Sequence, residues 1–435
     1  MDFDILSCTF ITMQEDFLHF IWQHKKINGL HLKTTQHESL EIISVGQLNT
    51  NSGPDFFNAQ LKIADQLWAG NLEIHVKSSD WFVHNHETDK AYDNVILHVV
   101  WEHDTEIFRK NNSIIPTLEL KQYIDTDLLH NYNKLFSAKN KWINCETDFS
   151  EVEDFILTNW LERIYIERLE RKSKTIETLL EVSKSNWESV LFKMLTKNFG
   201  LKVNGDSFFS LANSIDFSII RKQQTKPKVL EALLFGQGGL LDQDIEEIYF
   251  LELKKEYLFL KQKFQLSNLQ VLPIQFFRLR PQNFPTIRLS QLASLYHKEQ
   301  HLFSKIIETN TLEGFYKLFA VTASEFWKTH YTFQKTSKLS QKKITKSFID
   351  LLLINTIIPI KFSYAKSNNE DINETIIKLL QQIPSEKNSI VSAFNKLKNV
   401  SKTALQSQAL IQLKSEYCDK NKCLHCAVGN ALIIK

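Results

Sequence analysis

The stretch GNLEIHVK (residues 70–77), with GPDFFNAQL (53–61) before it and AYDNVILHVVWEHD (91–104) after it, decides how this chain reads. From Asn71 to Lys77 the apolar residues Leu72, Ile74 and Val76 alternate with Glu73, His75 and Lys77. Successive side chains of a strand point to opposite faces, so this is a strand with a row of Glu, His and Lys on one side, spaced about 6–7 Å per step. Residues 94–101 (NVILHVVW) are almost continuously apolar, as in a central strand covered on both faces. Leu40–Val45 and Asp55–Ile63 upstream and Ile114–Leu120 downstream read as further strands. Glu15–Gln23 reads as an opening helix with Phe17, Phe20 and Ile21 on its apolar face. A helix followed by consecutive strands predicts a small α+β domain built on a mixed sheet.

From Glu151 the period becomes helical. Phe155, Ile156, Trp160, Ile164 and Leu169 form one stripe, and Glu162, Arg163, Glu167, Arg168 and Arg171 solvate the rest. Similar periodicity at 187–199, 229–235, 243–263, 289–308, 311–328, 341–355, 371–381 and 388–413 predicts a large all-helical region, broken at FGQGGL (235–240) and at the Pro-punctuated FFRLRPQNFPTIR (276–288). The expected division is an α+β domain over 1–125, a linker over 126–150 and a helical domain over 151–435. Only 11 Gly and 8 Pro among 435 residues suit long helices with few tight turns. The net charge of +2, from 52 basic and 50 acidic side chains, supplies no global field toward nucleic acid or an anionic membrane. No run of about 20 apolar residues stands out, so no membrane partner is expected. The N-terminal stretch carries Asp2 and Asp4 without a basic run and does not read as a signal peptide. Five cysteines make no disulfide framework, and a reducing cytoplasmic location is expected.

Asp55 opens a strand 18 positions before Glu73 and would face the Glu–His–Lys row from the neighbouring strand. Those residue types are the minimum set for metal-assisted phosphodiester hydrolysis. Asp55, Glu73 and His75 would hold Mg²⁺ or Mn²⁺, which polarises a phosphate and acidifies a water, and Lys77 would orient or deprotonate that water. DNA or RNA would then be the partner. A second metal reading draws on the surrounding His84, His86, Asp89, Asp93, His98, His103 and Asp104: His84-x-His86 followed by Asp89 would chelate a transition metal, and a different enzyme reading makes a metal centre of His75, His86, Asp55 and Asp89 or Asp93. The plainest reading makes the row an exposed sheet face with cross-strand ion pairs, on a non-catalytic interaction or scaffold protein. Trp68, Trp81 and Trp101 read as core packing before base stacking.

Cys418, Cys423 and Cys426 have the spacing C-x4-C-x2-C, and thiolates so spaced can wrap one soft metal. Cys145 is the best fourth ligand and His425 the reserve; zinc or an iron–sulfur cluster would satisfy the set. Cys8 reads as an ordinary buried thiol. Arg278, Arg280 and Arg288 surround Pro281 and Pro285, where their forks suit phosphate, carboxylate or buried ion pairs between helices.

The Pro54-Asp55 pair, followed by Glu73 and Lys77 on the next long strand, resembles the PD-(D/E)XK nuclease core, although His75-Val76-Lys77 stands where an acid-x-Lys is expected. The resemblance implies a metal-dependent nuclease in which Glu15 takes the place of an accessory acid on the first helix. One upstream and three clustered downstream cysteines are similar in arrangement to nucleases of that core that carry an iron–sulfur cluster. The strings GPDFFNAQL, GNLEIHVKSSDW, AYDNVILHVVWEHD, FRLRPQNFPTIRLSQLA, FWKTHYTF and YCDKNKCLHCAVGN together resemble an uncharacterised bacterial family, domain of unknown function 2851. That likeness implies a cytoplasmic bacterial protein of this architecture and brings no established activity.

Overall fold

The computed structural model describes residues 13–28, 31–137 and 141–435. Two compact units emerge: the residues up to Trp160 together with Leu413–Lys435, and Leu161–Gln412. The cysteine-bearing tail thus belongs with the N-terminal unit, whereas sequence periodicity grouped it with the helices.

The first unit is α+β. It contains α1 (Glu15–Gln23), β1 (Leu32–Lys33), β2 (Ser39–Ser44), β3 (Gln47–Leu48), β4 (Phe56–Ile63), β5 (Gln66–Lys77), α2 (Asp80–Val83), β6 (Val95–Glu102), β7 (Thr117–Glu119) and α3 (Thr126–Phe136). The strands form one mixed sheet in the order β1-β2-β4-β5-β6-β7, with β3 against β4. Pairing is antiparallel from β1 to β5 and parallel from β5 to β7.

A two-residue turn at Ala64 and Asp65 joins β4 to β5, with Ala64 at φ 51°, the positive backbone angle that tight hairpins demand. Further along β5, Gly70 lets the chain press against β6: a Cβ there would lie 2.4 Å from Ile96 Cγ2. Val95–Val100 of β6 is buried on both faces, matching its unbroken apolar sequence. Helix α1 buries Phe17, Leu18, Phe20, Ile21 and Trp22, and the Trp22 indole N–H donates to the Val45 carbonyl at 3.0 Å.

The segment 126–150 is built into this unit. Asp125 caps α3, whose Leu128, Tyr132 and Leu135 face inward, and the Tyr132 ring stacks on Phe17 at 3.9 Å. Ile143, Cys145 and Phe149 are also buried. The closing helix, Ala427–Ile434, packs on α3.

The second unit is helical. Some stretches that periodicity joins are broken: 289–308 divides into Pro285–Lys298 and Leu302–Glu308 around His301, at φ 58°. Pro285 sits in the first turn, where its missing N–H costs nothing, so the helix starts inside the segment that reads as irregular. The helical run Lys346–Ser367 is long and apolar enough to cross a membrane by length and composition, yet 72% of its apolar window is buried, as in a core helix.

Candidate metal centre

The sheet register assembles a cluster of histidines and carboxylates in the first unit. Phe56 pairs with Leu72, so Asp55 and Glu73 come next along the antiparallel ladder. The Asp55 N–H donates to Glu73 Oε2 at 3.1 Å, and the Ile74 N–H donates to Asp55 Oδ2 at 2.9 Å. Parallel pairing sets Glu73 beside His98 of β6. His98 is fully buried, and its Nε2 lies 2.8 Å from His75 Nδ1. After β5, the short helix α2 turns the chain back over the sheet. His84 Nδ1 thereby lies 3.1 Å from His75 Nε2, and His86 Nε2 lies 3.3 Å from Glu73 Oε1. His75 Nε2 is 3.5 Å from the same oxygen. From α1, His19 Nε2 reaches to 3.1 Å from Asp55 Oδ2. The donor atoms of His75, His84 and His86 all lie within 4.8 Å of one another.

Burial sets the charge state. Loss of water, then the neighbouring His86, His84 and His19, push His75 down to about 3. Burial lowers His98 and His86 as well. These imidazoles are therefore neutral near pH 7 and have lone pairs to give. Glu73 moves the other way, pushed well above the carboxylate range by burial and then by Asp55. Burial also acts on His19, downward, but its bond to Asp55 prevails and leaves it more basic than usual. Glu15, one helical turn before His19, is raised by burial and then by Asp55. Trp81 and Tyr92 wall the cluster, with the Tyr92 ring stacked on His86 at 3.8 Å.

Asp55, Glu73 and His75 converge as expected from sequence, and the centre is richer in histidine than that trio. Lys77 stands apart: it is exposed at the end of β5, its backbone N–H donates to Asp80 Oδ2 at 2.9 Å, and no contact among the described residues ties its ammonium to the cluster. Asp89 caps a turn through the Ala91 N–H, Asp93 pairs with Lys110, and Asp104 binds Ser78 and Ser79. His103 lies beside Glu106. His19 was not anticipated, although its i,i+4 spacing from Glu15 on one helix face was a usable signal.

The four described cysteines are free thiols, with Cys145 and Cys426 buried; Cys8 lies outside the described residues. Cys418 senses the charge of Cys145, Cys426 and Cys423, and Cys145 that of Cys426 and Cys423, so the four sulfurs share one neighbourhood. The Asn144 amide donates to Cys423 Sγ at 3.4 Å, and the backbone N–H groups of Val428 and Gly429 serve Cys426. His425 is exposed.

Sheet and cluster together define an α+β protein with a histidine–carboxylate centre that runs from the buried His75, His98 and Glu73 to the exposed His84. The chain belongs to the family described as Protein of unknown function (DUF2851), whose pattern matches residues 15–389. That span holds the whole histidine–carboxylate cluster and ends before the clustered cysteines. No curated protein and no solved structure matches the chain.

Proposed function

We propose that the cluster holds a divalent transition metal and that the protein is a metal-dependent hydrolase of phosphodiester bonds in DNA or RNA. The observation that carries this reading is the convergence of Asp55, Glu73, His75, His84 and His86 on one end of the sheet. Donor separations of 3.1, 3.3 and 3.5 Å match the edges of a small coordination polyhedron, since ligands about 2.0–2.1 Å from a metal lie about 3–3.5 Å apart. The buried His86 Nε2 makes no hydrogen bond, which suits a lone pair reserved for a metal. A raised Glu73 beside Asp55 is what a carboxylate pair does when no cation offsets its charge.

Three imidazoles favour Mn²⁺ or Zn²⁺ over Mg²⁺, which prefers oxygen ligands. The metal would polarise the phosphate and lower the pKa of the attacking water. His19, made more basic by Asp55, is suited to take the proton from that water. The order of α1, the strands β1 to β3, β4 with Asp55 just before it and β5 with Glu73 supports the likeness to the PD-(D/E)XK core. Lys77, on the exposed end of β5, would meet substrate rather than metal.

The test is metal-stripped full-length protein reloaded with Mg²⁺, Mn²⁺ or Zn²⁺ and assayed on single- and double-stranded DNA, RNA and an aryl phosphodiester. We expect Mn²⁺- or Zn²⁺-dependent cleavage that falls at least about a hundredfold in Glu73→Gln and Asp55→Asn. Protein that binds no metal and cleaves none of these substrates overturns the reading. Metal binding without cleavage leaves the scaffold alternative.

The four thiols of Cys145, Cys418, Cys423 and Cys426 form, in our proposal, a second and structural centre for zinc or an iron–sulfur cluster. The support is their common neighbourhood and the N–H donors at Cys423 and Cys426, which offset part of the burial that raises all four thiols. Free thiols suit a reducing cytoplasm. Elemental analysis with a visible spectrum decides: a brown protein carries iron–sulfur, a colourless one with bound zinc carries zinc, and one with neither metal refutes the centre.

A further inference from the structure

The helical unit buries positive charge without a counter-ion. Arg288, in the first turn of Pro285–Lys298, is 6% exposed. Its guanidinium lies over the Phe348 ring at 3.6 Å. One Nη donates to Gln291 Oε1 at 2.9 Å and the other to Asn283 Oδ1 at 2.6 Å, so both partners are neutral amides. The Nε–H is buried without a partner. Burial alone draws its pKa down to about 10, and no carboxylate contributes. A buried guanidinium normally has an acid beside it, because removing an unpaired charge from water is expensive.

Lys342 repeats the pattern a short distance away. It too is 6% exposed, its ammonium donates to the Lys328 carbonyl and the Ser340 hydroxyl at 2.9 Å each, and it lies over the Tyr331 ring at 4.4 Å. The Gln291 amide that receives Arg288 donates to the Lys342 carbonyl at 3.0 Å, which locks the two cations into one frame. Both border a cavity of about 540 Å³ whose rim adds Arg280 and Lys343, and no Asp or Glu is among the residues that line it. That volume is within the usual range for small-ligand sites, about 300–1,000 Å³.

Four cations around a cavity without acids, two of them buried and fixed by neutral acceptors, make a preorganised receptor for a multiply charged anion. We propose that this cavity binds the phosphoryl groups of a ligand of nucleotide size. Phosphate answers the geometry better than a carboxylate. Its several oxygens and charge near −2 can engage a forked guanidinium and more than one further cation at once. The ligand would supply the missing counter-charge to Arg288 and Lys342. The proposal stands on the helical unit alone and is independent of the metal centre.

The experiment is calorimetric titration of the full chain with pyrophosphate and with ADP at low salt, repeated in the presence of a single-stranded oligonucleotide. Arg280 and Lys343 are exposed, so Arg280→Ala and Lys343→Ala leave the fold intact; each should weaken binding about three- to tenfold, and Arg288→Gln at least about tenfold. If the oligonucleotide displaces pyrophosphate and is weakened by the same variants, the phosphoryl group belongs to a nucleic-acid backbone; if it does not compete, it belongs to a small ligand. Absence of saturable binding up to about 10 mM overturns the site, as does binding that survives all three substitutions.

Discussion

Asp55 and Glu73 meet across the β4–β5 ladder, the N–H of the first donating to the carboxylate of the second at 3.1 Å. Glu73, buried and with the charge of Asp55 beside it, keeps its proton unless a cation is present. Glu73→Gln copies the protonated acid, so the metal-free variant should keep its stability at pH 7 within about 1 kcal/mol. Its metal affinity should nonetheless fall at least about a hundredfold. Competition against a chelating dye measures the second quantity. Unchanged affinity would remove Glu73 from the ligand set.

The pH dependence of metal-free protein follows from the same groups. His75 and His98 are depressed in the folded state, so the unfolded chain binds their protons first, and stability is lost as pH falls below the ordinary histidine value of 6.5. Each contributes up to about 1.4 kcal/mol per pH unit there. Glu73 is raised, so its contribution is present at low pH and is lost as pH rises above its ordinary 4.5. The depressed histidines outweigh the glutamate below pH 6.5, and above it Glu73 and the raised His19 both lose their contribution as pH rises. Stability of this unit should therefore peak near pH 6.5, read as hydrogen-exchange protection of the Ile74 and His75 amides. Bound metal, which competes with protons at Glu73 and His75, should move the peak upward.

Lys77→Ala removes an exposed ammonium that lies outside the cluster. Stability should change by less than about 0.5 kcal/mol, and metal content should not change at all. Metal loss in this variant would show that the side chain folds inward to support the centre.

Gly429→Ala tests the cysteine neighbourhood without touching a sulfur. The new Cβ would lie 2.1 Å from the Cys423 carbonyl oxygen, against rigid backbone. Zinc or iron content should drop, and the melting temperature should fall toward that of chelator-treated wild type. Full metal content in a folded variant would show that this turn does not shape the centre.

Gly70→Ala probes the sheet that carries the histidines. Its methyl would meet Ile96 Cγ2 at 2.4 Å and the Asn94 carbonyl oxygen at 2.7 Å, forcing β5 away from β6. A loss of about 1–3 kcal/mol is expected from such overpacking, with weaker metal binding because Glu73 and His75 ride on β5 while His98 rides on β6. Urea denaturation with and without metal separates the two effects.

Alternation and burial made the sheet legible. NVILHVVW announced a strand covered on both faces, and GNLEIHVK placed Glu73 and His75 on one side of the next. The encounter of Asp55 with Glu73 was legible too, because a strand opening on an acid faces its neighbour's row. Period 2 did not reveal where the row leaves shelter: Lys77 shares the face of His75 but lies where β5 ends and solvent begins. The contributions of His84 and His86 depended on a turn after β5 whose direction no local pattern encodes. The helix break at His301 had only a faint residue signal, since histidine is enriched at positive φ but adopts it seldom. The membership of the tail in the first unit is likewise a long-range fact, invisible to any window of sequence.

That membership bears on how the protein is made. The helix Ala427–Ile434 covers α3, yet the whole of Leu161–Gln412 is synthesised between them. While the ribosome extends the helical unit, the sheet can form but α3 keeps an uncovered flank, and Cys145 is made long before Cys418, Cys423 and Cys426. The first unit to be synthesised is thus the last to be completed. A nascent chain stalled before Leu413 would expose α3 to chaperones, and emergence of Ala427–Ile434 is the event that covers it.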